Sequence, residues 1–411
     1  MEALRGRISS VEQKAATSPA APAAARSEKK AQGDILGRPI DLPLQIGLTT
    51  TLAATGSSEN NSRLGKLLAG GHDPGQNGFS VQSSELLISG VVDPYFDAQA
   101  TLALRINTAG ETTTELEEAF FRTRALPYGL QVKGGHYFAE FGRINSQHVH
   151  EWAFVDQPIV NFRMFGGDGL RAPGARVSWL TPAPWFSEVT VGAQNSKGET
   201  ARSFLGNSET TLAGFSYADR KMRNASDLLY SARWLNGFDL SRETSVNMGF
   251  SGLAGPNATG ASTDTYIVGA DFYAKWQPTE NTRGFPFVAL QGEIMYRNFE
   301  ARDRNVQGAL TIDDWGAYLQ GLWGFRPGWV LGLRGEYATG DSASHTDSPS
   351  HADSQRDQRW RVSPNLTWYP TEFSKLRFQY NLDWAEHLNN NVHTFLLQGE
   401  FALGSHAAHK F

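Results

Sequence analysis

Apolar and polar residues alternate with a period of two along most of the chain. Phe96, Ala98, Ala100, Leu102, Leu104 and Ile106 interleave with Asp97, Gln99, Thr101, Ala103, Arg105 and Asn107. Tyr266, Val268, Ala270, Phe272, Ala274 and Trp276 interleave with Ile267, Gly269, Asp271, Tyr273 and Lys275. Leu376, Phe378, Tyr380, Leu382 and Trp384 interleave with Lys375, Arg377, Gln379, Asn381 and Asp383. Successive side chains of a strand point to opposite faces, so each stretch has one apolar or aromatic face and one charged, glycine or amide face. The pattern predicts sixteen strands, at 42–55, 80–92, 95–107, 113–126, 129–143, 171–181, 186–196, 227–236, 242–254, 264–277, 285–299, 311–325, 329–341, 359–369, 374–386 and 391–404. Residues 197–226 are the least regular, and Leu212 to Tyr217 there has the character of a further strand fragment.

Two architectures use such strands. A soluble sandwich turns the apolar face to a core; a membrane barrel turns it to lipid and lines a lumen with the polar face. Connection lengths separate the two. Short turns such as Val92-Asp93-Pro94-Tyr95, Leu126-Pro127-Tyr128-Gly129, Asn236-Gly237-Phe238-Asp239 and Phe325-Arg326-Pro327-Gly328 alternate with connections near 57–78, 144–169, 197–226, 300–310 and 341–358. Short periplasmic turns and long outer loops are the habit of outer-membrane barrels. Tyr95, Tyr128, Trp185, Trp234, Trp276, Trp329, Tyr369 and Phe373 collect at the short turns, where an interfacial girdle belongs. The expected fold is an all-β, antiparallel transmembrane barrel with an even strand number and both barrel ends on the periplasmic side.

Composition is compatible with that fold. Mean hydropathy is -0.39, and no apolar run reaches the roughly 18 residues of a transmembrane helix. A barrel strand needs only every second residue apolar. The net charge of -5 gives no electrostatic reason for a nucleic-acid partner. With no cysteine, disulfides and thiolate metal sites are excluded. Residues 1–41 differ from the rest: Leu4, Ile8 and Val11 share a helical face, and an Ala/Pro/Ser-rich stretch from Ala15 to Arg26 follows. This segment is a short helix or coiled coil with a linker, or a disordered periplasmic tail, and the barrel occupies 42–411. No apolar signal-peptide core follows Met1, so the chain is expected to be a mature or shortened form.

The polar face defines the candidate lumen. Its basic positions include Arg105, Lys133, Arg176, Arg233, Lys275, Arg297, Arg334, Arg359, Arg361, Lys375 and Arg377. Its acidic positions include Asp97, Glu118, Asp271, Glu293, Glu336, Asp383 and Glu400. The basic excess predicts a mild anion preference, unless opposite charges pair across strands and cancel the field. The fifth-to-sixth connection is unusual, because it carries Trp152, Phe154, Val155, Ile159, Val160, Phe162, Met164 and Phe165. So apolar a loop is expected to fold into the barrel mouth. There it would narrow the pore and bring His148, His150, Glu151, Asp156 and Arg163 to the constriction. His148-x-His150-Glu151 also has zinc-ligand character, but no third ligand stands at a diagnostic spacing. The residues otherwise point to no cofactor, and no nucleophile elbow, phosphate loop or His-Glu-x-x-His helix suggests an enzyme.

Several stretches carry a resemblance. Leu86 to Gly90, Val92-Asp93-Pro94-Tyr95-Phe96, Glu117-Glu118-Ala119-Phe120, Leu126-Pro127 and Gly142-Arg143-Ile144-Asn145 are among them. So are His148-x-His150-x-Trp152-x-Phe154-Val155-Asp156-x-Pro158 and Phe401-x-Leu403-Gly404 with the terminal His409-Lys410-Phe411. Together they resemble an outer-membrane barrel family often labelled zinc-regulated TonB-dependent outer-membrane receptors. More distantly, the chain resembles the phosphate-selective porins O and P. That resemblance implies sixteen-stranded trimers with an inward third loop. A TonB-dependent receptor would add a plug domain and about twenty-two strands, whereas the pattern here gives sixteen.

The expected function is a porin-like channel in the bacterial outer membrane, a homotrimer set in lipid, for passive diffusion of small hydrophilic solutes with an anion preference. The competing expectations are a substrate- or metal-specific uptake receptor linked to TonB, and a structural barrel or surface adhesin.

Overall fold

A computed structural model describes residues 30–35, 38–302, 310–340, 353, 356–388 and 390–404. Sixteen strands form the wall. They are β1 (Arg38–Ser57), β2 (Gly78–Val91), β3 (Phe96–Ile106), β4 (Thr112–Thr123), β5 (Leu130–Phe138), β6 (Arg171–Leu180), β7 (Phe186–Asn195) and β8 (Leu228–Asp239). The remainder are β9 (Thr244–Pro256), β10 (Asp264–Trp276), β11 (Phe287–Ala301), β12 (Leu310–Arg326), β13 (Trp329–Gly340), β14 (Arg359–Thr371), β15 (Ser374–Ala385) and β16 (Asn390–Gly404). Each pairs antiparallel with the next, and β16 returns to β1 from Thr394↔Ser57 to Gly404↔Gly47, which closes the barrel. Closure leaves no open edge in lipid.

The faces separate as alternation requires. On β13, Leu333 is 57% exposed and its neighbour Arg334 is 1% exposed. Val268, Ile294, Leu319, Phe378 and Leu397 are exposed on the outer face. Aromatics ring the short-turn end, with Trp329 stacked on Trp368 at 5.8 Å and Trp185 on Phe238 at 6.0 Å. Exposed Tyr230, Tyr266, Tyr296 and Trp315 sit near the other end of their strands, a second rim that the sequence pattern had not singled out.

Departures from the expected strand limits have local causes. Barrel pairing of β1 begins at Leu44, opposite Gly90. The residues before it, from Arg38 to Pro43, pair instead with a short strand, Lys30–Ile35. The helix expected around Leu4, Ile8 and Val11 lies outside the described residues, as do most of the connections at 300–310 and 341–358. β5 stops at Phe138 rather than 143, because the chain leaves the wall there for the lumen. The turn after β8 falls at 240–243, closed by the Leu240 N–H donating to the Thr244 carbonyl. The fragment expected at 212–217 is a two-residue ladder, Thr211–Leu212 with Phe215–Ser216, apart from the wall.

The lumen plug as candidate functional site

Residues 139–170 run from β5 into the barrel interior and back to β6. Gly142, at φ 59°, and Gly166, at φ 86°, turn the chain where a side chain would strain it. Pro158 starts a short helix, α1 (Ile159–Phe165), and the Gly166 N–H closes it on the Phe162 carbonyl at 2.8 Å. Pro158 is well placed, since a helix start needs no N–H there. Asn145 fastens the neck: its Nδ2 donates to the carbonyls of Ala139 and Leu170, and its Oδ1 accepts from the Leu170 N–H.

One flank of this plug is mainly apolar. Phe141, Ile144, Val160, Met164 and Phe165 form a buried cluster with Leu229, Leu253, Ile267, Met295 and Tyr318, one inward side chain from each of β8 to β12. Phe141 meets Phe165 edge-on at 5.2 Å. The other flank is polar, and β13 to β15 grip its backbone. Lys375 donates to the His150 carbonyl at 2.9 Å, Arg377 to that of Trp152 at 3.0 Å and Asn365 to that of Ala153 at 3.0 Å. Arg334 donates to the Asp156 carbonyl at 2.9 Å and Arg361 to that of Gln157 at 2.8 Å. Gln379 Oε1 accepts from the Val155 N–H and Glu336 Oε2 from the Ile159 N–H, at 2.8 and 2.7 Å. A buried irregular segment must have its backbone groups satisfied, and here wall side chains do it.

Asp156 is the centre of the polar flank. Its carboxylate meets Arg334, Arg361 at 2.9 Å, Gln379 at 2.8 Å and Asn381 at 2.7 Å. Burial pushes this carboxyl up, but Arg361 and Arg334 outweigh it and hold it down at about 2. Asp73, from the connection between β1 and β2, accepts from the Gln157 N–H at 2.8 Å. Burial, and then the nearby Asp156, push Asp73 up to about 6.

All five residues expected at the constriction lie on the plug. Glu151 accepts from the His148 N–H at 3.2 Å and so shapes the backbone. Arg163 donates to the carbonyls of Arg356 and Asp357. The expected lining residues face inward, and most are paired. Arg297 meets Asp314, Arg334 and Arg361 share Glu336, and Asp271 takes Arg233. Arg105 meets Asp168 at 3.0 Å, Arg176 meets Glu140 at 2.9 Å, and Lys133 lies 3.7 Å from Glu118. Glu293 accepts from the Ile144 N–H and the Tyr318 hydroxyl. Lys275 sits 5.3 Å over the Phe287 ring, and Arg377 bonds Thr367 and Gln398.

A second polar cluster joins the plug to β2 and β4, and alternation alone did not reveal it. His148 Nδ1 lies 2.9 Å from Glu117 and its Nε2 3.2 Å from Glu118. His150 Nδ1 lies 2.7 Å from Glu85. His72 Nε2 lies 3.0 Å from Glu117, while its Nδ1 lies 3.1 Å from the Gln82 carbonyl. Two bulges make this possible. The β3–β4 register skips Glu117, so Glu117 and Glu118 are both buried; the β1–β2 register skips Gln82 in the same way. A bulge re-aims a side chain that strict alternation would send to lipid. Burial disfavours charge on the imidazoles, but the carboxylates prevail and hold His72 at about 9 and His148 and His150 above their ordinary value.

No family model matches the chain. An uncharacterized protein of Aquifex aeolicus (strain VF5) is 31% identical over 369 residues, which span 83% of this chain and 73% of that protein. The chain belongs to the family of that protein. Solved structures are similar in fold. The outer-membrane channel DcaP of Acinetobacter baumannii superposes with a TM-score of 0.56 at 12% identity, over 88% of this chain and 97% of its own. The anion-selective porin of Comamonas acidovorans gives 0.54 at 10% identity, over 88% and 100%. The trimer form of OmpT from Vibrio cholerae gives 0.51 at 9%, over 88% and 99%. This member of the Aquifex family therefore has the porin fold of the bacterial outer membrane. In that fold residues 139–170 lie inside the barrel, between the wall strands.

Proposed function

We propose that the protein is a loop-restricted channel of the bacterial outer membrane, passing small hydrophilic solutes. The observation that carries this reading is a polar-lined barrel whose lumen holds an inward connection gripped from both sides. Ion pairing removes most of the field that the lumen arginines would otherwise create, so anion preference is weak and rests on groups such as Lys275 and Arg377. The anion-selective porin and the trimeric OmpT that share the fold support extending weak anion preference and a homotrimer to this chain. Planar-bilayer recording tests it: small, steady, ohmic steps are expected, with a reversal potential slightly displaced toward chloride in a KCl gradient. A barrel that inserts but gives no steps overturns the channel reading; a cation preference overturns the selectivity. A substrate-specific uptake receptor is the second reading, favoured by the contacts that hold the plug to wall strands on both sides of the lumen. Steps that appear only after a bound substrate is removed would favour it.

A further inference from the structure

Most other lumen carboxylates are matched by a permanent cation or by neutral donors: Asp156, Asp271, Asp314, Glu336 and Asp383 each meet an arginine, Glu400 meets Lys375, and Glu293 accepts from the Ile144 N–H and the Tyr318 hydroxyl. Glu85 and Glu117 differ. Both are buried, and among the described residues their ion-pair partners are histidines alone. An arginine cannot ligate a metal, whereas an imidazole can, and imidazole with carboxylate is a donor set for first-row transition cations. From this contrast we propose that Glu85, Glu117 and His148 bind a divalent transition-metal cation that ties the plug to β2 and β4.

The ligand spacing is suitable. His148 Nδ1 lies 2.9 Å from Glu117 Oε2 and 3.7 Å from Glu85 Oε2. A tetrahedral centre with bonds of ~2.0–2.1 Å spaces its ligand atoms by roughly 3.3–3.5 Å, between those two values. The three donor atoms lie within 4.8 Å of one another. The surrounding groups orient the donors. Glu118 stands 3.2 Å from His148 Nε2 and holds a proton there, so a cation that displaces the Nδ1 proton to solvent meets a lone pair already aimed at Glu117 and Glu85. His150 holds Glu85, and His72 holds the far oxygen of Glu117. The bulge that turns Glu117 inward is a second, independent sign of a built site, because regular pairing would point it at lipid. A neighbouring group, His72 with Glu115 and Asp168, also has metal-like spacing. Arg171 and Arg105 already hold those two carboxylates, so it does not compete.

Calorimetry with Zn²⁺ on the detergent-folded full chain tests the site near neutral pH. One site per chain with micromolar affinity is expected. Glu117→Gln and His148→Ala should each weaken it by at least about tenfold. Replacing the terminal His406 and His409 by alanine should leave it unchanged. Heat-modifiable gel mobility reports whether each variant keeps its barrel, and Glu85→Gln gives a third test if one fails to fold. With Co²⁺ as probe, a visible tetrahedral absorption band is expected. No binding tighter than millimolar, or binding that survives the Glu117 and His148 substitutions in folded barrels, overturns the proposal and leaves the histidines as charged partners of the carboxylates. Calorimetry reads this whether or not the barrel conducts, so its failure is separate from failure of the channel reading.

Discussion

The two flanks of the plug are held by different physics. Toward β8 to β12, Phe141, Val160, Met164 and Phe165 lie against one apolar side chain from each strand. The apolar contact is non-directional and itself indifferent to pH, and on the same side Ser251 and Glu293 accept from the Gly142 and Ile144 N–H groups while Arg297 donates to the Arg163 carbonyl. Toward β13 to β15, arginine, lysine, asparagine, glutamine and glutamate side chains take the plug backbone group by group, and Asp156 adds a buried ionic centre. Such contacts demand geometry and depend on protonation. If the apolar flank retains the plug and the polar flank sets its position, variants on the two sides should behave differently.

The largest effect should follow from Asp156→Ala. It leaves Arg334 and Arg361 buried with less countercharge, and breaking a buried pair costs roughly 3–5 kcal/mol. Frequent large openings in bilayer recordings are expected; unchanged gating would mean that the polar flank does not hold the plug. Met164→Ala probes the apolar flank. Met164 is fully buried, and such truncations cost about 2–5 kcal/mol. Faster hydrogen exchange across 159–166 is expected, with the openings of the Asp156 variant absent. If both variants behave alike, the two flanks are one unit.

Protonation separates the flanks further. The carboxyl of Asp156, against Arg334, Arg361, Glu336, Asp73 and Asp383, falls from 3.8 to about 2 on folding. Its contribution, about 2 kcal/mol, is therefore present above pH 3.8 and lost as pH falls toward 2. Asp73 runs the other way: raised from 3.8 to about 6, its contribution is present below 3.8 and lost as pH rises through 6. Opening frequency should pass through a minimum between these limits, and Asp73→Asn should abolish the rise on the alkaline side. The smallest effect is expected from Asn365→Ala, which removes one hydrogen bond to Ala153, about 1 kcal/mol, and should slightly increase current noise.

Most of the wall was legible because lipid outside and polar groups inside impose strict alternation. The expected strand spans around Tyr266 and Phe378 match β10 and β15 within a residue. The inward plug was legible from the density of Trp152, Phe154, Ile159, Val160 and Phe165 in a loop. What alternation misplaces are the positions where it fails. Glu117 and Gln82 sit at bulges, so a period of two sends them the wrong way. Glu85 and His72 are ordinary in sequence and become notable only where folding sets them beside His148 and His150. Pairing of the lumen charges was open in the sequence, but most of the partners were hidden, since most come from different strands or from the plug.

Deleting the plug tests the central claim most directly. Residues 139–170 are replaced by a short Gly/Ser linker, and single-channel conductance is compared with that of the intact barrel. A several-fold larger, steady ohmic step in the deletion variant is the predicted result. Equal steps in the two proteins would contradict the account, because they would mean that residues 139–170 do not obstruct the path.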